Sequence, residues 1–150
     1  MDQSSEKKKS GFFSGRTRSV TILLLIAIFA FGTIQALSGR NGSVIAQLDS
    51  SMLGVLGSPE QPVFVPFDSI TQIRLADTVS FGECVEGEET QNTLSGLYEN
   101  DDFGVYALHV YTKSSPYIVV SYGDGDTLVF NQKTEKQTRE FYEDLAEKCP

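Results

Sequence analysis

The stretch Val20–Leu37, VTILLLIAIFAFGTIQAL, constrains this chain more than any other. It contains no charged residue, and its only polar side chains are Thr21, Thr33 and Gln35. As a helix it would run about 27 Å at 1.5 Å per residue, close to the roughly 30 Å hydrocarbon core of a bilayer. It has no polar face, unlike a helix that buries one stripe against a soluble core.

Lys7, Lys8, Lys9, Arg16 and Arg18 precede the stretch. A basic flank on that side places the N-terminus in the cytoplasm and the remainder outside it. Two readings are open: an uncleaved single-pass signal anchor, or a secretory signal peptide cut after its apolar core. Signal cores usually hold about 7–15 apolar residues, and this run is longer. Ala36-Leu37-Ser38 is only a weak small-residue pattern. The anchor is the favoured reading. It divides the chain into a cytoplasmic basic tail (1–19), a transmembrane helix (20–37), a linker (38–43) and an extracytoplasmic domain (44–150). The tail is rich in Ser, Lys and Gly and cannot build a core. Phe12 and Phe13 suit the headgroup layer. The membrane stretch lacks G-x-x-x-G, so nothing in it specifies self-association. Asn41-Gly42-Ser43 matches a glycosylation acceptor, relevant only to a eukaryotic secretory route.

The charge is split along the chain. The first 19 residues set their five cations against Asp2 and Glu6, a net of +3, and the whole chain carries −8, so the remainder holds −11. A domain that acidic is a poor partner for nucleic acid, whose affinity comes largely from phosphate neutralisation. It is equally unsuited to anionic lipid headgroups. The acidity serves solubility.

Beyond the linker, short apolar runs alternate with turn residues. Val44–Leu48, Met52–Val55, Pro62–Phe67 and Ile70–Ala76 read as strands, the third bracketed by prolines and so suited to an edge. Closely spaced strands without helices predict an antiparallel meander forming a barrel or sandwich. Thr78–Asp102 has few apolar residues and many acids, and reads as a long acidic loop with a short pairing segment near Leu94–Tyr98. Gly104–Thr112 alternates with a period of two. Tyr117–Tyr122 and Thr127–Asn131 flank Gly123-Asp124-Gly125-Asp126, whose Asp-Gly dipeptide favours a tight hairpin. Thr134-Glu135-Lys136-Gln137 fits a capping box. It opens a helix whose stripe of Phe141 and Leu145, flanked by Thr138 and Tyr142, is meant for the sheet.

Chemistry-bearing residues are sparse. Cys84 and Cys149 are the only cysteines. In an exported domain they suggest one disulfide, and two free thiols are the alternative. Glu83, Glu86, Glu88 and Glu89, together with Asp124 and Asp126, raise calcium as a ligand. Neither segment has the spacing of an EF-hand loop, and a solvated loop and a hairpin turn explain them better. His109, the sole histidine, lies mid-strand with no second histidine to share a metal. Ser121 lacks a G-x-S-x-G context, and no Gly-rich phosphate loop is present. No catalytic residue, metal ligand or cofactor is expected.

Leu97-Tyr98, Phe103-Gly104-Val105-Tyr106, His109-Val110-Tyr111, Pro116-Tyr117-Ile118-Val119-Val120, Leu128-Val129-Phe130-Asn131, Thr138 and Phe141-Tyr142-Glu143-Asp144-Leu145 occur in that order. Together they resemble a bacterial family of pleckstrin-homology (PH)-like domains often found beside membrane helices. The resemblance spans roughly residues 66–148. It implies a mainly β fold closed by a C-terminal helix, and no catalytic residues. Phosphoinositide-binding members place Lys and Arg between their first strands. The matching region here, residues 49–61, holds Asp49 and Glu60 and no base, which argues against that ligand. The expected function is that of a non-catalytic, membrane-anchored interaction module, with another membrane protein as partner. Its interaction loop would carry Glu83, Glu86, Glu88, Glu89, Asp101 and Asp102. The alternative is an enzyme subunit or a ligand- or ion-binding domain.

Overall fold

The computed structural model describes residues 42–57 and 62–149. The stretch Val20–Leu37, its basic flank and the residues up to Asn41 lie outside them. No helix among the described residues is long and apolar enough to cross a membrane.

The described chain is mainly β, with one C-terminal helix. A small antiparallel sheet comes first, from β1 (Ile45–Leu48), β2 (Met52–Leu56) and β3 (Val63–Pro66) in that spatial order. A single 3-10 turn, Phe67–Ser69, then leads into β4 (Ile70–Ala76). Ser69 Oγ donates to the Pro66 carbonyl at 2.8 Å across this corner. The second sheet adds β5 (Glu83–Glu89), β6 (Thr93–Asn100), β7 (Gly104–Tyr111), β8 (Tyr117–Tyr122) and β9 (Asp126–Phe130). Its order is β4-β8-β9-β7-β6-β5.

Two expectations are corrected here. The strands form neither a simple meander nor a closed barrel among the described residues. The β8–β9 hairpin inserts between β7 and β4, and β9 runs parallel to β7, pairing Ala107 with Leu128 and His109 with Phe130. Strands buried on both faces read as continuous apolar runs rather than alternating ones. Tyr117–Val120 and Thr127–Phe130 are buried at every position, and YIVV and TLVF are such runs. The second correction concerns Thr78–Asp102. Most of it is the β5–β6 hairpin, paired from Glu83↔Glu99 to Glu89↔Leu94. Acids hid a strand because β5 is exposed along nearly its whole length.

The large sheet carries a core on each face. On one face Ile118, Val120, Leu128 and Phe130 meet Leu53, Val55 and Val65 of the small sheet and Leu145 of the helix. On the other lie Tyr98, Tyr106, Leu108, Val110, Tyr117, Val119 and Val129. There the segment after β4 contributes Val79 and Phe81, with the Phe81 ring edge-on to Tyr117 at 5.5 Å. Tyr106 donates its hydroxyl to the Phe81 carbonyl at 2.8 Å, which pins that segment down.

The helix α1 (Glu135–Lys148) starts where its sequence says it should. Thr134 Oγ1 accepts from the Gln137 amide at 3.3 Å, satisfying an end group that has no partner inside the helix. The Gln137 side chain does not reach back to the backbone. It accepts instead from the Thr134 hydroxyl at 3.0 Å. Thr138 is buried and links the Gln132 amide to the Thr134 carbonyl. The stripe is seated as its spacing requires, with Phe141 edge-on to Phe130 at 5.6 Å. Buried Asn131 extends the β7–β9 pairing beyond the strand. Its Oδ1 accepts from the Tyr111 amide at 2.7 Å, and its Nδ2 donates to the Tyr111 and Ser114 carbonyls.

Candidate interaction surface

Strand β5 is an edge, bonded only to β6 among the described residues. An edge strand presents unpaired backbone N–H and C=O groups, a template for another chain. Charged side chains usually guard such edges, and here the guards are Glu83, Glu86, Glu88 and Glu89. Glu83 lies directly opposite Glu99. Like charges in that position repel and cost a little stability. Between these acids Val85 stands 55 % exposed at a register shift of the β5–β6 ladder. Beside it run half-buried Leu97 on β6 and exposed Val105 on β7. The surface is therefore a short apolar strip rimmed with carboxylates.

The two strands of the hairpin approach each other closely. Gly87 and Gly96 face each other, and a Cβ on Gly87 would fall 2.2 Å from the Ser95 carbonyl oxygen. No side chain fits between the two backbones. Asp101 and Asp102 occupy the β6–β7 turn, both exposed. Asn100 Oδ1 shapes that turn by accepting from the amides of Asp102 and Phe103. Arg74 of β4 places its guanidinium 5.7 Å from the centre of the Phe103 ring.

The acids do not converge. Glu83 and Glu89 stand at opposite ends of a seven-residue strand, about 20 Å apart at ~3.3 Å per residue. Glu89 is engaged, its Oε1 accepting from the Tyr98 hydroxyl at 3.1 Å. Asp124 lies in the β8–β9 turn and Asp126 opens β9, both exposed. No group of three or more His, Cys, Asp or Glu among the described residues could hold a metal ion.

Both cysteines are free thiols, and the expected Cys84–Cys149 bond is not formed. Register explains the separation. Cys84 pairs with Tyr98, which belongs to one core. Cys149 follows α1 and packs against the other core, on the opposite face of the large sheet. Burial pushes the Cys149 thiol's pKa up. Burial also raises the Tyr98 hydroxyl's pKa, reinforced by the neighbouring Cys84 and Glu89 side chains, so it stays protonated as a donor to Glu89.

One buried polar pair was not legible in the sequence. Ser95 on β6 and His109 on β7 are cross-strand partners, with Ser95 Oγ 2.7 Å from His109 Nδ1. Gly57 lies over them, and a Cβ there would collide with both side chains. Burial pushes the imidazole down to about 4, so it is neutral at ordinary pH. With both residues about 1 % exposed, the pair is sealed from substrate and serves as a satisfied core hydrogen bond. Alternation of Ser95 with Leu94 and Gly96, and of His109 with Leu108 and Val110, placed both on one sheet face. Only the hairpin register could pair them.

No family model, curated protein or solved structure matches this chain.

Proposed function

We propose that the chain is a single-pass, membrane-anchored interaction module, non-catalytic and PH-like in descent, that captures an extended segment of another membrane protein along β5. The observation that carries this reading is the exposed β5 edge with its acidic rim and the Val85–Leu97–Val105 strip. Strand addition draws affinity from main-chain hydrogen bonds and specificity from alternate side chains. Carboxylates on the rim favour a Lys- or Arg-bearing strand and repel a second acidic edge. The sealed Ser95–His109 pair supports a binding role over a catalytic one. The C-terminal helix seated on the sheet supports the PH-like assignment, while the parallel β7–β9 pair departs from its antiparallel outline. The membrane anchor rests on Val20–Leu37 and the cations before it.

The test is cross-linking of tagged full-length protein in native membranes, beside a Glu83→Lys/Glu86→Lys variant and an Asp124→Lys control. A specific partner captured by the parent and the control and lost from the double variant supports the reading. A partner retained by the double variant, or none captured at all, overturns it.

A further inference from the structure

The small sheet has an apolar outer face. Its inner face gives Leu53, Val55 and Val65 to the core. By alternation, Ile45 and Gln47 of β1, Met52, Gly54 and Leu56 of β2, and Phe64 and Pro66 of β3 point away from it. Register sets them side by side, Ile45 opposite Leu56, Gly54 opposite Phe64 and Met52 opposite Pro66. Phe64 is 63 % exposed and Ile45 48 %. Among the described residues Gln47 is the only polar side chain on this face, and none is charged. A depression of about 330 Å³ opens beside Phe64, floored by Gly54 and Met52. Contiguous exposed apolar surface of this kind marks an interaction site.

The chain itself says what covers it. β1 begins eight residues after Leu37, the end of the membrane stretch. Eight residues span at most about 28 Å when fully extended, so the face is tethered within reach of the lipid–water boundary. Aromatic and aliphatic side chains enter that boundary readily. No cation among the described residues lies on the face, and Asp49 stands at its edge, so contact with lipid would be apolar rather than phosphate-directed. We infer that the outer face of the β1–β2–β3 sheet docks on the bilayer surface, inserting Phe64, Ile45 and Leu56 at the headgroup–acyl boundary. This rests on the anchor reading above. Docking would hold the domain in one orientation and leave β5, on the other sheet, to face a partner.

The chain contains no tryptophan, so single substitutions report their own surroundings. Full-length Phe64→Trp, Val105→Trp and Phe29→Trp proteins are each reconstituted in phosphatidylcholine vesicles, with and without brominated lipid. All three positions tolerate a larger ring, since Phe64 and Val105 are exposed and Phe29 lies in the apolar stretch. The expected result is blue-shifted emission and loss of intensity in brominated lipid for Phe64→Trp and Phe29→Trp. Val105→Trp should stay red-shifted and open to acrylamide. Quenching of Phe29→Trp without Phe64→Trp overturns the docking and leaves the anchor standing. Quenching of neither overturns the anchor reading itself. A Phe64→Trp shielded from acrylamide yet untouched by brominated lipid shows a protein surface, such as a second copy, on this face, and also overturns the docking.

Discussion

The small sheet turns Ile45, Met52, Leu56 and Phe64 outward, whereas the β5–β6 hairpin turns out Glu83, Glu86 and Glu99. Both are antiparallel, both lie at the margin of the fold, and each contributes side chains to a core. Their exposed chemistry is nonetheless reversed. Hydropathy along the chain therefore reports poorly on which residues are buried here. β1 to β3 look like core strands, yet half their apolar residues face outward. β5 looks like a loop, yet every residue of it but Val85 is paired with β6. Pairing made these strands, and composition recorded only what lies beyond them.

The largest expected effect tests the two sides of the small sheet. Leu53→Ala empties a fully buried site and should cost roughly 2–5 kcal/mol in denaturant unfolding. Phe64→Ala on the same sheet, mostly exposed, should cost well under about 1 kcal/mol. Equal losses would mean that the outer face is core.

His109 tests the shared interior. Its folded pKa of about 4 lies below the ordinary 6.5. Between those values the unfolded chain binds a proton that the folded chain refuses, so stability falls as pH drops through this window. The drop could reach about 3 kcal/mol at 1.36 kcal/mol per unit. His109→Gln should flatten that part of an acid-unfolding profile. A profile unchanged by the substitution would show that the imidazole is not responsible.

Two glycines then sharpen the contrast. Gly87→Ala drives a Cβ into the Ser95 carbonyl and should cost roughly 1–3 kcal/mol, like other overpacked sites. Gly54→Ala meets only the Phe64 ring at 3.3 Å, and an exposed ring can swing aside, so its Tm should barely move. The last effect is electrostatic. Glu99→Lys places a cation opposite Glu83 and should stabilise by about 0.2–1 kcal/mol, with the gain fading as salt is raised.

Much of the fold was legible in the residues. β4, β8, the Asp-Gly hairpin turn and the Thr134 cap all stand where pattern and turn chemistry put them. What failed did so for stated reasons. A parallel neighbour for β7 leaves no local signature beyond an unbroken apolar run, and TLVF is short enough to be read as an ordinary hairpin return. The Ser95–His109 pair depends on register, which a single strand does not encode. The acidic hairpin needed its partner Leu94–Tyr98 to be recognised as a full strand. The acids of the candidate surface were visible at once, whereas their spread along an edge, which rules out a cation cage, needed the ladder.

The sheet order has a consequence for how the chain comes to be folded. β4 and β5 are neighbours in sequence but end at opposite edges of the large sheet. Synthesis runs from the N-terminus, so β5, β6 and β7 can zip together as soon as they emerge. β4 cannot join them. Its only partner among the described residues is β8, which is made some forty residues later, and β9 must then slide in beside β7. Long-range pairing of this kind is slow because loop closure precedes any reward. The last quarter of the chain thus completes what the first strands began, and a nascent chain that stops before Tyr117 holds β4 and the β5–β6–β7 strands with nothing to join them.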